Sequence, residues 1–425
     1  MSKEACKRIL KEQGISGFVL HYGARVLTKT EKQVIGRFTA RFCKVKQNRL
    51  VFKNRENLDY TDNPRAFFDY LVKEGYNEKY EIIWLVSDLK KFRKLKYKNV
   101  KFVTAENKYG WNSCSAYYYA ATARYFFFSH NTQDLLDYGC PGRTIINLWH
   151  GCGYKGPEHG LTESSGKKAR TGFDYGLVPG PVFVETKSVA WNCEKEKIWP
   201  IGYPRYDWMI HPSITKEKMI PRLFGDWKDL ENKLVIWMPT FRKSNLKGCK
   251  EGEIKMLYQL PALRGKEDLE KLDLHLRTLG MYLIIKKHPL QTKWSQDETK
   301  LSNIRYVTEK MLETAGIQLA ELMGVCDGLI SDYSSASVDF MLLHRPMAFV
   351  LEDFMAYQEK RGFVFEDPLA YMPGEKIYDY QGVEAFLEHV AKGQDLYRKE
   401  RENLMPVMHN LTENYCERLA KQLHL

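Results

Sequence analysis

Gly328-Leu329-Ile330-Ser331-Asp332-Tyr333-Ser334-Ser335 opens the segment that decides the fold. Its first four positions form a short apolar run of strand character. The two serines then start a helical pattern that continues to Leu343. A strand running directly into a helix, with polar groups at the junction, is the repeating unit of an α/β sheet. The flanks agree. A helical pattern over Gly316–Val325 precedes the segment, and an apolar run over Met347–Val350 follows it.

The same alternation extends through the chain. Strands are expected at Arg49–Phe52, Glu81–Val86, Tyr125–Ser129, Thr144–Trp149, Tyr175–Val178 and Lys197–Ile201, then at Lys233–Trp237, Met281–Ile285 and Ile304–Val307. A helix over Asn63–Glu74 lies among them. Tyr203 to Asp229 holds Pro204, Pro212 and Pro221 and breaks the pattern, which divides the 425 residues into two Rossmann-like halves. The expected class is therefore α/β with two parallel-sheet domains. Such sheets bind ligands at the C-terminal ends of their strands.

A composition of 44% hydrophobic and 28% charged residues excludes disordered and fibrous classes. The longest apolar stretch, Ala116 to Phe128, is interrupted by Arg124 and is too short to span a bilayer. No signal-peptide pattern opens the chain, so a cytosolic face is expected. Nine scattered cysteines without a C-x-x-C pair argue against disulfides and against a cysteine-based metal site. His150, Cys152 and His159 match no familiar zinc spacing. Gly160 to Lys168 imitates a P-loop but has one residue too many between its glycines.

The net charge of +12 is uneven. Residues 1–55 hold 14 of the 65 Lys and Arg against Glu4, Glu12 and Glu31 alone. At helical spacing Leu27, Val34, Ile35, Phe38, Phe42 and Val45 share one arc, with Lys32, Arg37, Arg41, Lys44 and Lys46 outside it. Such a helix either contacts an anionic membrane surface or docks on its own domain with a solvated basic face. No recognition motif accompanies the charge, so nucleic acid is not an expected partner.

Four strand ends carry candidate chemistry. Asn147-Leu148-Trp149-His150-Gly151 delivers a histidine, either as a general base or as a structural residue. Leu283-Ile284-Ile285-Lys286-Lys287-His288-Pro289 delivers cations suited to a phosphate, or a solvated basic turn. Ser331, Asp332, Ser334 and Ser335 combine hydroxyls with a helix start, and they can cap the helix, cradle a diphosphate, or do both. Met238-Pro239-Thr240-Phe241-Arg242 offers an arginine for a phosphate oxygen or for a surface ion pair.

In their order these motifs resemble the CDP-glycerol:poly(glycerophosphate) glycerophosphotransferases, the teichoic acid primases and polymerases with their capsule-making relatives. The resemblance is carried by Tyr60-Thr61-Asp62-Asn63-Pro64-Arg65, Leu148-Trp149-His150-Gly151, Gly202-Tyr203-Pro204-Arg205-Tyr206-Asp207, Pro239-Thr240-Phe241-Arg242, Lys286-Lys287-His288-Pro289, Ser331-Asp332-Tyr333-Ser334-Ser335, Arg345-Pro346 and Arg361-Gly362-Phe363. After the His-Gly pair the family shows Thr-Pro-Leu-Lys, whereas this chain has Cys152, Gly153, Tyr154 and Lys155.

The resemblance implies a GT-B-type fold. Residues 1–46 would form the membrane-facing segment, 47–205 an acceptor-side domain and 206–425 a CDP-polyol-binding domain. It implies transfer of glycerol phosphate or ribitol phosphate from CDP-glycerol or CDP-ribitol to a hydroxyl, with CMP released and no cofactor or metal required. The implied acceptor is a prenyl-diphosphate-linked glycan or polyol-phosphate chain at the cytoplasmic face of the membrane. His150 would be the general base. His288 and Lys286 would stabilise the diphosphate and the departing CMP, and Ser331, Asp332, Ser334 and Ser335 would cradle the phosphates. Arg242, Lys155 and Arg205 would be further substrate contacts. A glycosyltransferase using a sugar nucleotide and a non-catalytic membrane-surface scaffold are the two competing readings.

Overall fold

The computed structural model describes residues 10, 14–20, 22–23, 26, 30, 32–54, 60–106, 112–130, 133–136, 138–156, 172–225, 227, 229–240, 260–286 and 301–425. Contacts divide them into two compact units. One comprises the described residues up to His150, with 172–177 and Leu419–Leu425; the other comprises 151–156 and those of Val178–Arg418.

In the first unit β1 (Lys46–Lys53), β2 (Glu81–Val86), β3 (Val100–Thr104), β4 (Ala123–Phe128), β5 (Thr144–Asn147) and β6 (Tyr175–Leu177) run in the order β3-β2-β1-β4-β5-β6. Every pair is parallel. Val51 lies beside Ile83 and Phe126, and Phe52 beside Trp84 and Phe127. Successive residues point to opposite faces, so a strand covered on both sides must be apolar throughout. One face packs Val51, Ile83 and Phe126 against Ala116 and Ala120 of helix Cys114–Thr122. On the other, Phe52 stacks on Trp84 and Phe127, and Phe67 of helix Asp62–Lys73 meets Phe127 edge-on.

Between the sheets in sequence, β7 (Ile198–Trp199) supplies the Trp199 carbonyl that accepts from the Val178 N–H. The second unit holds β8 (Lys233–Trp237), β9 (Met281–Lys286), β10 (Ile304–Val307), β11 (Gly328–Ser331), β12 (Met347–Val350) and β13 (Glu375–Ile377), in the order β10-β9-β8-β11-β12-β13 and again all parallel. Helix Lys266–Leu279 covers one face with Leu269, Leu272 and Leu276 and stops at Gly280, whose φ of 62° is the left-handed conformation of a helix end.

The expected α/β class with two parallel sheets is what the structure has. In both sheets the strand order reverses once, between β1 and β4 and between β8 and β11. At such a switch point neighbouring connections leave on opposite faces and open a crevice at the strand ends. Asn54 and Ser129 follow β1 and β4, while Met238 and Asp332 follow β8 and β11.

Ahead of β1 the basic segment is a π-turn over Lys32–Gly36 continued by helix Arg37–Phe42. The expected apolar arc is split. Ile35 packs against the first core, and Thr39 is buried. Val34, Phe38 and Phe42 are 63%, 61% and 70% exposed. Leu27 lies outside the described residues. No helix among the described residues is long and apolar enough to cross a membrane.

Candidate functional site

The His-Gly turn leaves β5 under local strain. Trp149 has φ 52°, unusual for a non-glycine residue, and Gly151 has φ 144°. Polar side chains hold this path. Asn147 Oδ1 accepts from the Trp149 N–H at 2.9 Å. The buried Asn63 amide donates to the carbonyls of Leu148 and Trp149 at 3.1 and 2.8 Å. Asn63 sits in the first turn of helix Asp62–Lys73, which explains the Tyr60–Arg65 motif ahead of it. There the Tyr60 hydroxyl donates to Asp69, and the Arg65 guanidinium lies 4.5 Å over the Tyr60 ring. Burial first, with Asp69 adding, pushes the Tyr60 phenol far above its ordinary range, so it remains a donor.

His150 is exposed at the end of this turn, with Nδ1 3.2 Å from the Ser129 carbonyl oxygen. A carbonyl only accepts, so that hydrogen bond puts the proton on Nδ1 and the lone pair on Nε2. Beside it, the His130 ring stacks on His150 at 4.6 Å and 14°. His130 Nδ1 approaches Ser129 Oγ at 2.9 Å and Asn54 Oδ1 at 3.3 Å. Neither His130 nor Asn54 figured in the sequence reading. The signal was available: His130 follows an apolar strand as His150 does.

The loop after His150 belongs to the second unit. A Cβ on Gly151 would come 2.5 Å from Ser335 Oγ, and one on Gly153 would come 3.0 Å from the Ser335 backbone. Glycine at both positions lets this backbone lie directly on Ser335. Beyond it, the Gly156 N–H donates to the Gly362 carbonyl and the Val364 N–H to that of Tyr154. Lys155 forms a backbone bridge with Phe363. The Arg361-Gly362-Phe363 motif is thus the partner segment of this loop. Cys152 is buried with Sγ 3.2 Å from the Tyr203 hydroxyl, and burial pushes its thiol up.

At the β11 end the expected cradle residues divide into two kinds. Ser331 is completely buried, and its hydroxyl donates to the Met238 carbonyl. Asp332 is also completely buried; it accepts from the Thr240 N–H at 2.8 and 3.1 Å and from the Thr240 hydroxyl at 2.6 Å. These two fasten the exits of β11 and β8 together. Ser334 and Ser335 are half-buried at the start of helix Ala336–Phe340. Ser334 Oγ accepts from the Ala336 N–H at 3.4 Å, and Ser335 makes no side-chain cap.

Arg205 donates to Asp339 of that short helix at 2.6 Å, and the Tyr206 hydroxyl donates to the other oxygen of the same carboxylate. Burial first, then the Asp339 charge, raises the Tyr206 phenol well above its usual range. Lys286, 5% exposed at the end of β9, pairs with Glu309 at 2.8 Å. The structure therefore gathers Ser331, Asp332, Ser334, Ser335 and Arg205 around one strand–turn–helix segment, and gives Lys286 a carboxylate partner on helix Glu309–Ala315. Arg242, His288, His159 and the Gly160–Lys168 loop lie outside the described residues.

Comparison with known proteins follows the same lines. The family profile described as CDP-Glycerol:Poly(glycerophosphate) glycerophosphotransferase matches residues 36–421. The chain is 24% identical over 323 residues to the teichoic acid glycerol-phosphate transferase of Staphylococcus aureus (strain NCTC 8325 / PS 47), covering 72% of this chain and 75% of that one. It is 28% identical over 221 residues to the teichoic acid ribitol-phosphate primase of Bacillus spizizenii (strain ATCC 23059 / NRRL B-14472 / W23), covering 49% and 51%. The solved wall teichoic acid polymerase TagF shares the fold with a TM-score of 0.71 at 19% identity, over 100% of this chain and 98% of that one.

Proposed function

The chain belongs to the CDP-glycerol:poly(glycerophosphate) glycerophosphotransferase family, and from that premise we propose how its residues divide the reaction. It is an enzyme that moves a polyol phosphate from a CDP-polyol to an acceptor hydroxyl, with CMP as the leaving group. The acceptor oxygen forms a bond to the phosphorus bearing the polyol as the bond from that phosphorus to the CMP oxygen breaks. The hydroxyl proton passes to His150 Nε2. One observation carries this role: the hydrogen bond from His150 Nδ1 to the Ser129 carbonyl fixes the tautomer whose lone pair is on Nε2.

Charge on the phosphoryl oxygens and on CMP is met by the Ser334 and Ser335 hydroxyls and by Lys286, with His288, Arg242 and Lys155 assigned beside them by resemblance. Ser331, Asp332 and Arg205 act one step back, by fixing the turn on which those serines stand. The donor is CDP-glycerol or CDP-ribitol, and the acceptor is a prenyl-diphosphate-linked glycan or polyol-phosphate chain. The test is CMP release from each donor, with and without such an acceptor. His150→Ala is expected to lower turnover by about 10²- to 10⁴-fold with donor KM little changed. Loss of donor affinity at unchanged turnover would move His150 to the donor site. Acceptor-dependent release from a UDP- or GDP-sugar instead would replace the donor assignment.

The exposed Val34, Phe38 and Phe42, flanked by the exposed Arg37, Arg41, Lys44 and Lys46, suit an anionic membrane surface. Burying a phenylalanine side chain contributes about 1.5–3 kcal/mol. Each cation near the surface adds about 1 kcal/mol. This reading makes the enzyme peripheral at the cytoplasmic face, where a lipid-linked acceptor is held. Joint replacement Phe38→Glu and Phe42→Glu is expected to cut binding to phosphatidylserine vesicles by at least about tenfold. Unchanged vesicle binding would remove this face from the membrane.

A further inference from the structure

We propose that His130 is a positioning residue for His150, the second ring of a stacked pair that holds the base in one orientation; this rests on the reading of His150 as the base. An exposed histidine on a short loop is free to turn about both side-chain torsions, and rate falls steeply when a base is misaligned. Two rings oppose that freedom. Trp149, at 4.0 Å and 34°, is the neighbour in sequence and moves with the same turn. His130, at 4.6 Å and 14°, comes from a different strand end and is an independent support.

That support is anchored deep in the switch point of the first sheet. Ser129 and Asn54, which follow β4 and β1, are 0% and 2% exposed. The Ser129 hydroxyl donates to Asn54 Oδ1, which His130 Nδ1 also approaches. The Asn54 amide in turn donates to the Thr61 carbonyl at 2.8 Å. Ser129 contributes twice, since its hydroxyl contacts His130 and its carbonyl accepts from His150. Ser129-His130 therefore holds the plane of the His150 ring through the stacked neighbour, and that plane keeps Nδ1 on the Ser129 carbonyl that sets its tautomer. Stacking at this separation is geometrically specific, and any aromatic ring of similar size supplies it.

The experiment uses the full chain, with steady-state CMP release and ¹⁵N-histidine NMR. His130→Ala is expected to lower kcat by about ten- to a hundredfold with donor KM within about twofold. His130→Phe keeps the stacked ring and is expected to return kcat to within about threefold of the parent. A His130→Phe protein as slow as His130→Ala, or a His130→Ala protein at full rate, overturns the proposal. The NMR arm separates this inference from the base assignment. In the parent, His150 is expected as the single Nδ1–H tautomer, and in His130→Ala as an exchanging mixture. If His150→Ala proves active the base reading fails, yet an unchanged His150 tautomer in His130→Ala overturns the positioning role by itself.

Discussion

At the C-terminal end of the first sheet an imidazole stands exposed, and the buried Asn63 and Asn147 side-chain amides and the Ser129 carbonyl hold its turn. At the end of the second sheet Ser331, Asp332, Arg205 and Lys286 are already engaged with the protein: a carbonyl, a threonine and two carboxylates. The first region separates the reactive group from its supports. In the second, one short motif contains two of the supports, Ser331 and Asp332, together with the half-buried serines that would meet a ligand. A recurring motif thus marks the residues that shape a turn as well as those that touch the substrate, and burial tells them apart.

Asp332 gives the largest effect by which this contrast can be broken. Asp332→Ala removes the acceptor from the Thr240 N–H and hydroxyl, both buried, at about 1–3 kcal/mol for each group. The melting temperature is expected to fall by roughly 5–15 °C, with donor KM near the parent value in protein that remains folded. Thermal melting and a donor titration check it together. An unchanged melting temperature with lost donor affinity would make Asp332 a substrate contact and erase the division.

His409 tests the same frame from behind. Its Nε2–H donates to the Val338 carbonyl at 2.8 Å, inside the helix that follows Ser335. Burial holds this imidazole down at about 4, partly opposed by that carbonyl. The unfolded chain takes up the proton near pH 6.5. Between these values the unfolded state binds more protons, so stability is lost as pH falls from about 6.5 to about 4 and levels off below. His409→Gln keeps an N–H donor and does not titrate. Its melting temperature is expected to fall by a few degrees less than the parent's across that window. Parallel curves would mean that His409 does not couple the frame to pH.

The core strands were legible because burial on both faces forces an unbroken apolar run, as at β8, β11 and β12. Val100–Thr104 escaped notice because Lys101 interrupts a half-buried strand, and Glu375–Ile377 is too short to show a period. The helix expected from Gly316 begins at Leu319. Gly316, at φ 69°, instead closes the preceding helix Glu309–Ala315. Within the sites, His150 could be read from a strand followed by His-Gly. The supports could not. Asn63 reaches a carbonyl 86 residues away and Arg205 a carboxylate 134 residues away, and no local pattern records such pairings.

Lys286 is where the contrast is least sharp, and Glu309→Gln sharpens it. The ammonium is nearly buried, while its partner carboxylate is one-third exposed. If Lys286 serves the donor phosphates, Glu309 competes with them for the same cation. The amide keeps the shape and an acceptor for the hydrogen bond but removes the opposing charge. Donor KM is then expected to fall by about two- to fivefold, a modest gain because water already screens the exposed carboxylate. Steady-state titration with the CDP-polyol measures it. An unchanged KM with a lower melting temperature would instead put Lys286 beside Asp332, as part of the frame. The ligand contacts of the second unit would then fall to the two serines and to residues beyond the β8 and β9 ends.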